Sequence, residues 1–104
     1  TGLQTLFLGG PEVTDAGVEH LQGLTGLRWL SLSNTKVTDA GLRHLEGLTG
    51  LESLRLISTQ VTDVGLEHLK HLTKLQRLDL SGTRITDSGI SELKLALPGT
   101  MVTQ

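Results

Sequence analysis

Shifted by 24 residues, this chain falls on itself four times without a slip in register. Leu3 superimposes on Leu27, Leu51 and Leu75, Leu6 on Leu30, Leu54 and Leu78, and Leu8 on Leu32, Leu56 and Leu80. Further along each unit come Val13, Val37, Val61 and Ile85, then Asp15, Asp39, Asp63 and Asp87, then Gly17, Gly41, Gly65 and Gly89. A fixed period of this kind requires each unit to adopt the same local structure and to bury its apolar residues against its neighbours, because one coil alone cannot form a core.

Each unit changes hydrophobic period partway. Around Leu30 and Leu32 the apolar residues alternate, which predicts a short strand with one face inward. From Thr38 or Asp39 the spacing becomes helical, with Leu42, Leu45 and Leu48 on one stripe, and both Thr and Asp serve as N-caps. Strands are expected at about residues 5–8, 29–32, 53–56 and 77–80, with a helix opposite each. Gly26 and Gly50 follow the helices, where a left-handed C-terminal residue is commonly needed. Parallel strands stack about 4.8 Å apart and helices about 10 Å apart, so the strands must line the concave side. Crossovers of this type are right-handed. The predicted fold class is therefore α/β: a right-handed solenoid with parallel strands on its concave face and short helices on its convex face.

One domain over residues 1–104 is expected, with units at about 3–26, 27–50, 51–74 and 75–98. Residues 99–104 keep the register, Val102 standing where Leu78 stands one unit earlier, and are expected to form a terminal strand after the helix end at Pro98. No comparable cap precedes Thr5 to Leu8. An open strand edge is expected there, to be covered by further repeats, a cap or a second chain, with self-association through that edge as one outcome. The chain opens on Thr1, already inside a repeat, so a piece of a longer array is expected.

Composition narrows the partners. Nine Lys and Arg against eleven Asp and Glu give a formal net charge of -2 without a basic block, so neither nucleic acid nor an anionic membrane is expected as a partner. No apolar run approaches the roughly 20 residues of a membrane span. With no cysteine, disulfides, thiolate metal sites and a Cys nucleophile are excluded within these residues.

The run VTDAGLRHLEGLTGLESLRL, residues 37–56, resembles the leucine-rich repeats of the cysteine-containing, ribonuclease-inhibitor-like kind, and especially bacterial tandem arrays written VTDAGLxHLxxLTxL. The resemblance extends over nearly the whole chain. Thr35, Thr59 and Thr83 occupy the turn position that Asn or Cys often fills, and Pro11 replaces it in the first unit. The resemblance implies a curved α/β solenoid and protein binding. It implies no catalytic site, since the family's motif residues are structural.

Residues that recur in every unit are best explained by what every unit shares, the fold. The four Asp are expected to cap helix starts rather than form a calcium ladder, since one carboxylate per turn suits the helix dipole. His20, His44 and His68 form a second column, with His71 beside His68, but Glu92 interrupts it. We therefore expect helix surface and no metal. The recurring Gly are expected where a neighbouring coil comes close. The hydroxyls of Thr35, Thr59 and Thr83 are expected to bond turn backbone and hold one coil against the next. Ser31, Ser33 and Ser81 lack a paired His, because the His column lies on the helix side, so catalysis is not expected and no cofactor is implied.

What varies is the outward strand face. Parity turns positions 29, 31 and 33 to the concave surface and gives three lateral columns. They read Thr5, Trp29, Ser53 and Arg77; Phe7, Ser31, Arg55 and Asp79; and Gly9, Ser33, Ile57 and Ser81. Both aromatic residues of the chain, Phe7 and Trp29, fall here, and aromatic and Arg side chains dominate interface hot spots. Phe7, Trp29, Arg55, Ile57, Arg77 and Asp79 are the candidate partner-binding residues, and the expected partner is a protein or peptide. Two other roles are open at this point: a passive spacer or assembly segment of a larger protein, and the substrate-recruiting arm of an enzyme whose chemistry lies elsewhere.

Overall fold

In a computed structural model, which describes residues 3–104, the chain winds through four coils and ends on a fifth strand. The elements run β1 (Thr5–Phe7), α1 (Asp15–Glu19), β2 (Trp29–Ser31), α2 (Asp39–Leu42) with a 3-10 turn at Arg43–Leu45, β3 (Ser53–Arg55), a 3-10 helix at Asp63–Leu69, β4 (Arg77–Asp79), α3 (Asp87–Ala96) and β5 (Met101–Thr103). The strands form one parallel sheet in the order β1-β2-β3-β4-β5. Its register follows the 24-residue period: Leu6 faces Leu30, Leu30 faces Leu54, Leu54 faces Leu78 and Leu78 faces Val102. The pairing continues past the three-residue strands, with the Leu32 and Leu56 amides donating to the Arg55 and Asp79 carbonyls at 2.9 and 2.8 Å. A second ladder of opposite sense follows the turn, where the Lys36, Gln60 and Arg84 amides donate back to Val13, Val37 and Val61.

Between the sheet and the helical turns lies one continuous core. Leu27, Leu32, Val37, Leu42, Leu45, Leu48 and their counterparts one unit on are shut off from solvent. The first coil is less protected: Leu3 is 41% exposed, and Leu6, Leu8, Val13 and Leu24 are half-buried. Within the described residues β1 is an edge strand, so this coil is packed on one side only.

The helical side is shorter and more varied than its apolar stripe suggested. Gly23 and Gly47 fall in the second turn of the first two units, where Gly disfavours helix by about 1 kcal/mol relative to Ala, and α1 and α2 end before them. In the fourth unit Leu95 takes that position and α3 runs for ten residues.

Three features differ from the expectations above. The left-handed positions are not Gly26 and Gly50. Positive φ occurs at Gly10, Asn34, Ser58 and Gly82, three residues past each strand, where the coil bends sharply out of the sheet; a Gly or a short polar residue tolerates that conformation. The helix ends instead turn back through ordinary i to i−3 bonds, such as Leu51 amide to Leu48 carbonyl at 3.1 Å.

The Asp column does not cap its own helices. Asp15 accepts the Thr38 amide at 2.8 Å and the Thr38 hydroxyl at 2.5 Å, one coil further on. Asp39 holds Thr62 and Asp63 holds Thr86 in the same way. These charge-assisted bonds are a staple repeated once per coil. The recurring Gly is its consequence, since a Cβ on Gly41, Gly65 or Gly89 would collide with the carboxylate of Asp15, Asp39 or Asp63. Close approach of a neighbouring coil was the expected reason, and a carboxylate is what approaches.

The Thr hydroxyls, finally, act within a coil. Thr35, Thr59 and Thr83 donate to the carbonyls of Leu32, Leu56 and Leu80 at 2.6, 2.8 and 2.6 Å. They close the turn after each strand and do not bridge to the next coil. Among the described residues, every buried side-chain nitrogen and oxygen has a partner.

Candidate functional site

Because Leu30, Leu54 and Leu78 point inward, their strand neighbours must point to the concave face. Register then lines up Thr5, Trp29, Ser53, Arg77 and Met101 across the sheet, and beside them Phe7, Ser31, Arg55, Asp79 and Thr103. Phe7 and Trp29 are 67% and 39% exposed, and Met101 is 70% exposed. Other large apolar side chains, Val64 and Leu95, are exposed on the helical side, but Phe7, Trp29 and Met101 share the strand face.

Two recesses divide this face. A groove of about 620 Å³ is bounded by Trp29 at one end and Met101 at the other, with Ser53, Arg55, Arg77 and Asp79 between them. A smaller recess of about 260 Å³ brings Phe7 together with Trp29, Thr5 and Arg55. Five of the six residues singled out from the sequence therefore share one continuous surface. Ile57 is half-buried and lines neither recess. Met101 is the residue that the sequence reading missed. It continues the Thr5, Trp29, Ser53 and Arg77 column by one period, a signal that was present but was absorbed into the reading of residues 99–104 as a closing strand.

The charges on this face are not paired with one another. Among the described residues, no ion pair joins Arg55, Arg77 or Asp79. The Asp79 carboxylate instead accepts the Ser81 amide at 3.1 Å and the Ser81 hydroxyl at 2.7 Å, one oxygen taking both. Arg28 approaches Glu52 at 3.6 Å on the rim. Ser31 donates to Ser33 at 3.3 Å, and no His contacts either among the described residues.

The convex side uses its histidines differently. His44 contacts Gln22, and His68 Nδ1 lies 2.6 Å from Glu46 Oε2, each ring meeting the coil before it. Nearby, the Lys70 ammonium donates to the Glu67 carboxylate at 2.8 Å, which raises its pKa above the ordinary value. No group of three or more His, Asp or Glu is arranged to hold a metal among the described residues. Chelator is therefore expected to leave the melting temperature unchanged. A bound ion would add RT ln(1 + [L]/Kd) of stability, so a rise of several degrees with zinc or nickel that vanished in His44→Ala would contradict this account.

A family model described as leucine rich repeat matches residues 25–85. Among solved structures, a leucine-rich repeat protein of Leptospira interrogans is similar over 98% of this chain, with a TM-score of 0.77 and 28% identity. Internalin C2 of Listeria monocytogenes is similar over 97% of it, with a TM-score of 0.74 and 31% identity. A second Listeria internalin, InlF, shares the fold over 98% of it, with a TM-score of 0.63 and 24% identity. The chain spans 25%, 42% and 34% of the lengths of these three proteins. No curated protein matches the sequence.

Proposed function

Since this chain belongs to the leucine-rich repeat family, whose arrays generally serve as protein-binding scaffolds, we propose that it holds a protein or peptide on its concave strand face without carrying out chemistry. The observation that carries this reading is the exposed Trp29 in a groove with Arg55, Arg77 and Asp79. The periodic Leu, Val, Asp, Gly and turn Thr are taken up by core, staple and turn, and these concave side chains lie outside that set. Phe7 and Ile57 extend the same surface toward β1 and the upper loops. We further assign residues 1–104 to one domain of ribonuclease-inhibitor-like repeats, on the strength of the period and of the VTDAGL motif.

A second reading, assembly, draws support from the half-buried Leu6, Leu8, Val13 and Leu24 at the first coil. In that role the β1 edge stacks on another coil or a second copy and the concave face is idle. A recruiting arm for a catalytic domain outside these residues would use the concave face as the first reading does.

Selection of a random peptide library on the immobilised chain separates these readings. Binders are expected to lose more than about 1 kcal/mol on Trp29→Ala, roughly fivefold in affinity, as hot-spot aromatics do. The convex control Arg43→Ala should leave them unchanged. Trp29 is the sole Trp, and its emission in the free protein should be red-shifted and readily quenched. Binders indifferent to Trp29→Ala would transfer the proposal to the assembly reading.

A further inference from the structure

Each later coil is held by the one before it through the same groups. In the second coil the Arg28 and Trp29 amides donate to the Gln4 carbonyl, the Lys36 amide donates to the Val13 carbonyl, and the Thr38 amide and hydroxyl donate to the Asp15 carboxylate. One period earlier stand Gln4, Thr5, Glu12 and Thr14. Among the described residues their amides, and the Thr14 hydroxyl, have no acceptor. Gly17 belongs to the same set. Gly41, Gly65 and Gly89 are buried against a carboxylate of the coil before, whereas Gly17 is half-buried and a Cβ on it would meet nothing. Gly disfavours helix relative to Ala, and in the other three coils the approaching carboxylate requires it. The apolar side is open at the same place: Leu6, Leu8, Val13 and Leu24 are half-buried where Leu30, Leu32, Val37 and Leu48 are sealed.

We propose that the first-coil face docks a further coil of the same repeat, one that carries an Asp in the place of Asp15, Asp39 and Asp63. The interface between successive coils, with its staple formed three times over, continues there unchanged. The incoming carboxylate takes the Thr14 amide and hydroxyl and lies against Gly17, its strand accepts the Gln4 and Thr5 amides, and its Leu side chains cover the open core. A second copy of this chain does not supply these groups. The Asp column ends at Asp87 in the fourth coil, and β5 already holds the next place in the sheet, with Met101 facing Arg77. A copy stacked on β5 therefore sets its Thr14 one step beyond Asp87. In a pairing of two β1 edges each Asp15 is already engaged by Thr38. A cap of other sequence would cover the Leu side chains, but it would leave Thr14 without an acceptor and give Gly17 no carboxylate to clear. The proposal holds whether or not the concave face is occupied.

The test joins a copy of residues 27–50 directly ahead of Leu3, in the 24-residue register, and compares this extended chain with the parent in denaturant unfolding. In the parent, Thr14→Val should change the midpoint little, because its hydroxyl caps nothing, and Gly17→Ala should raise stability, about fivefold in the unfolding equilibrium. In the extended chain both substitutions should destabilise, Thr14→Val by about tenfold. Asp39→Ala in the added copy should destabilise as well, and in that background Thr14→Val should have no further effect. Equal effects of Thr14→Val and Gly17→Ala in the two chains overturn the proposal, as does an added copy that stays unfolded or melts in a separate transition. A parent chain that sediments as a dimer, and whose dimer Thr14→Val weakens, gives this face to a second copy and overturns it too.

Discussion

Leu54→Ala is expected to lower the free energy of unfolding by about 3–5 kcal/mol, read from the denaturant midpoint at unchanged slope. Leu54 sits on the central strand with Leu30 and Leu78 in register on either side, and all three are sealed from solvent. The coils above and below are fixed by their own ladders and staples, so the cavity cannot collapse, and cavity costs run highest where relaxation is least. Total stability for a domain of this size is of order 5–15 kcal/mol, so one side chain removes a large share of it. A loss below about 1 kcal/mol would mean that the core is looser than the packing shows.

The second large effect is a reversal of sign. Asp63→Ala removes two charge-assisted bonds to Thr86, at 2.8 and 2.5 Å, and should cost about 2 kcal/mol at this partly solvated site. Thr86 Oγ1 also accepts the Gly89 amide at 3.2 Å, so the loss should fray the start of α3. Gly89→Ala alone places a methyl group against the Asp63 carboxylate and should cost about 1–2 kcal/mol, since it can be accommodated only by disrupting the same staple. In the Asp63→Ala background the closest contacts are gone, because the three nearest atoms that a Cβ at residue 89 would meet all belong to the Asp63 carboxylate. There Gly89→Ala should stabilise the protein by up to about 1 kcal/mol, the ordinary advantage of Ala in a helix. The cycle therefore predicts a coupling of about 2–3 kcal/mol. Additive costs would show that the Gly column has another cause.

How far this fold can be read from its sequence depends on which interactions repeat. Inward Leu30, Leu54 and Leu78 give strand position, parallel order and register, because a one-residue slip would turn every Leu to solvent. The partners of Asp and Thr were less legible. Asp39 and Thr38 are neighbours in sequence, and local reasoning pairs them at one helix start; the actual partner of Asp39 is Thr62, 23 residues on. A strictly periodic sequence presents the same column whether a bond stays within a coil or crosses to the next, so Asp39 was misread as a cap and Thr59 as a bridge. The left-handed column was hidden differently. Gly10, Asn34, Ser58 and Gly82 vary in identity and share only a backbone conformation, whereas the uniform Gly of the 41, 65 and 89 column answers to a neighbour's carboxylate.

On the candidate site, parity alone brought Trp29, Arg55, Arg77 and Asp79 to one face. It could not tell that Asp79 turns to Ser81 rather than to Arg55, because that choice is made by side-chain geometry in the loop after β4. It also left Ile57 equal to the others, although the chain has begun to bend away from the sheet by Ser58, which adopts positive φ.

The central claim is a division of labour: repeated residues hold the array together and the variable concave residues are free to serve a partner. Denaturant unfolding of one variant tests it, with Phe7→Ser, Trp29→Ser, Arg55→Ser, Arg77→Ser and Met101→Ser combined. All five side chains lie on the exposed strand face, so the variant should keep a cooperative transition of unchanged slope and lose less stability than Leu54→Ala alone, under about 3 kcal/mol. Loss of the folded state, or a cost above that of Leu54→Ala, would show that the concave residues belong to the scaffold and contradict the account.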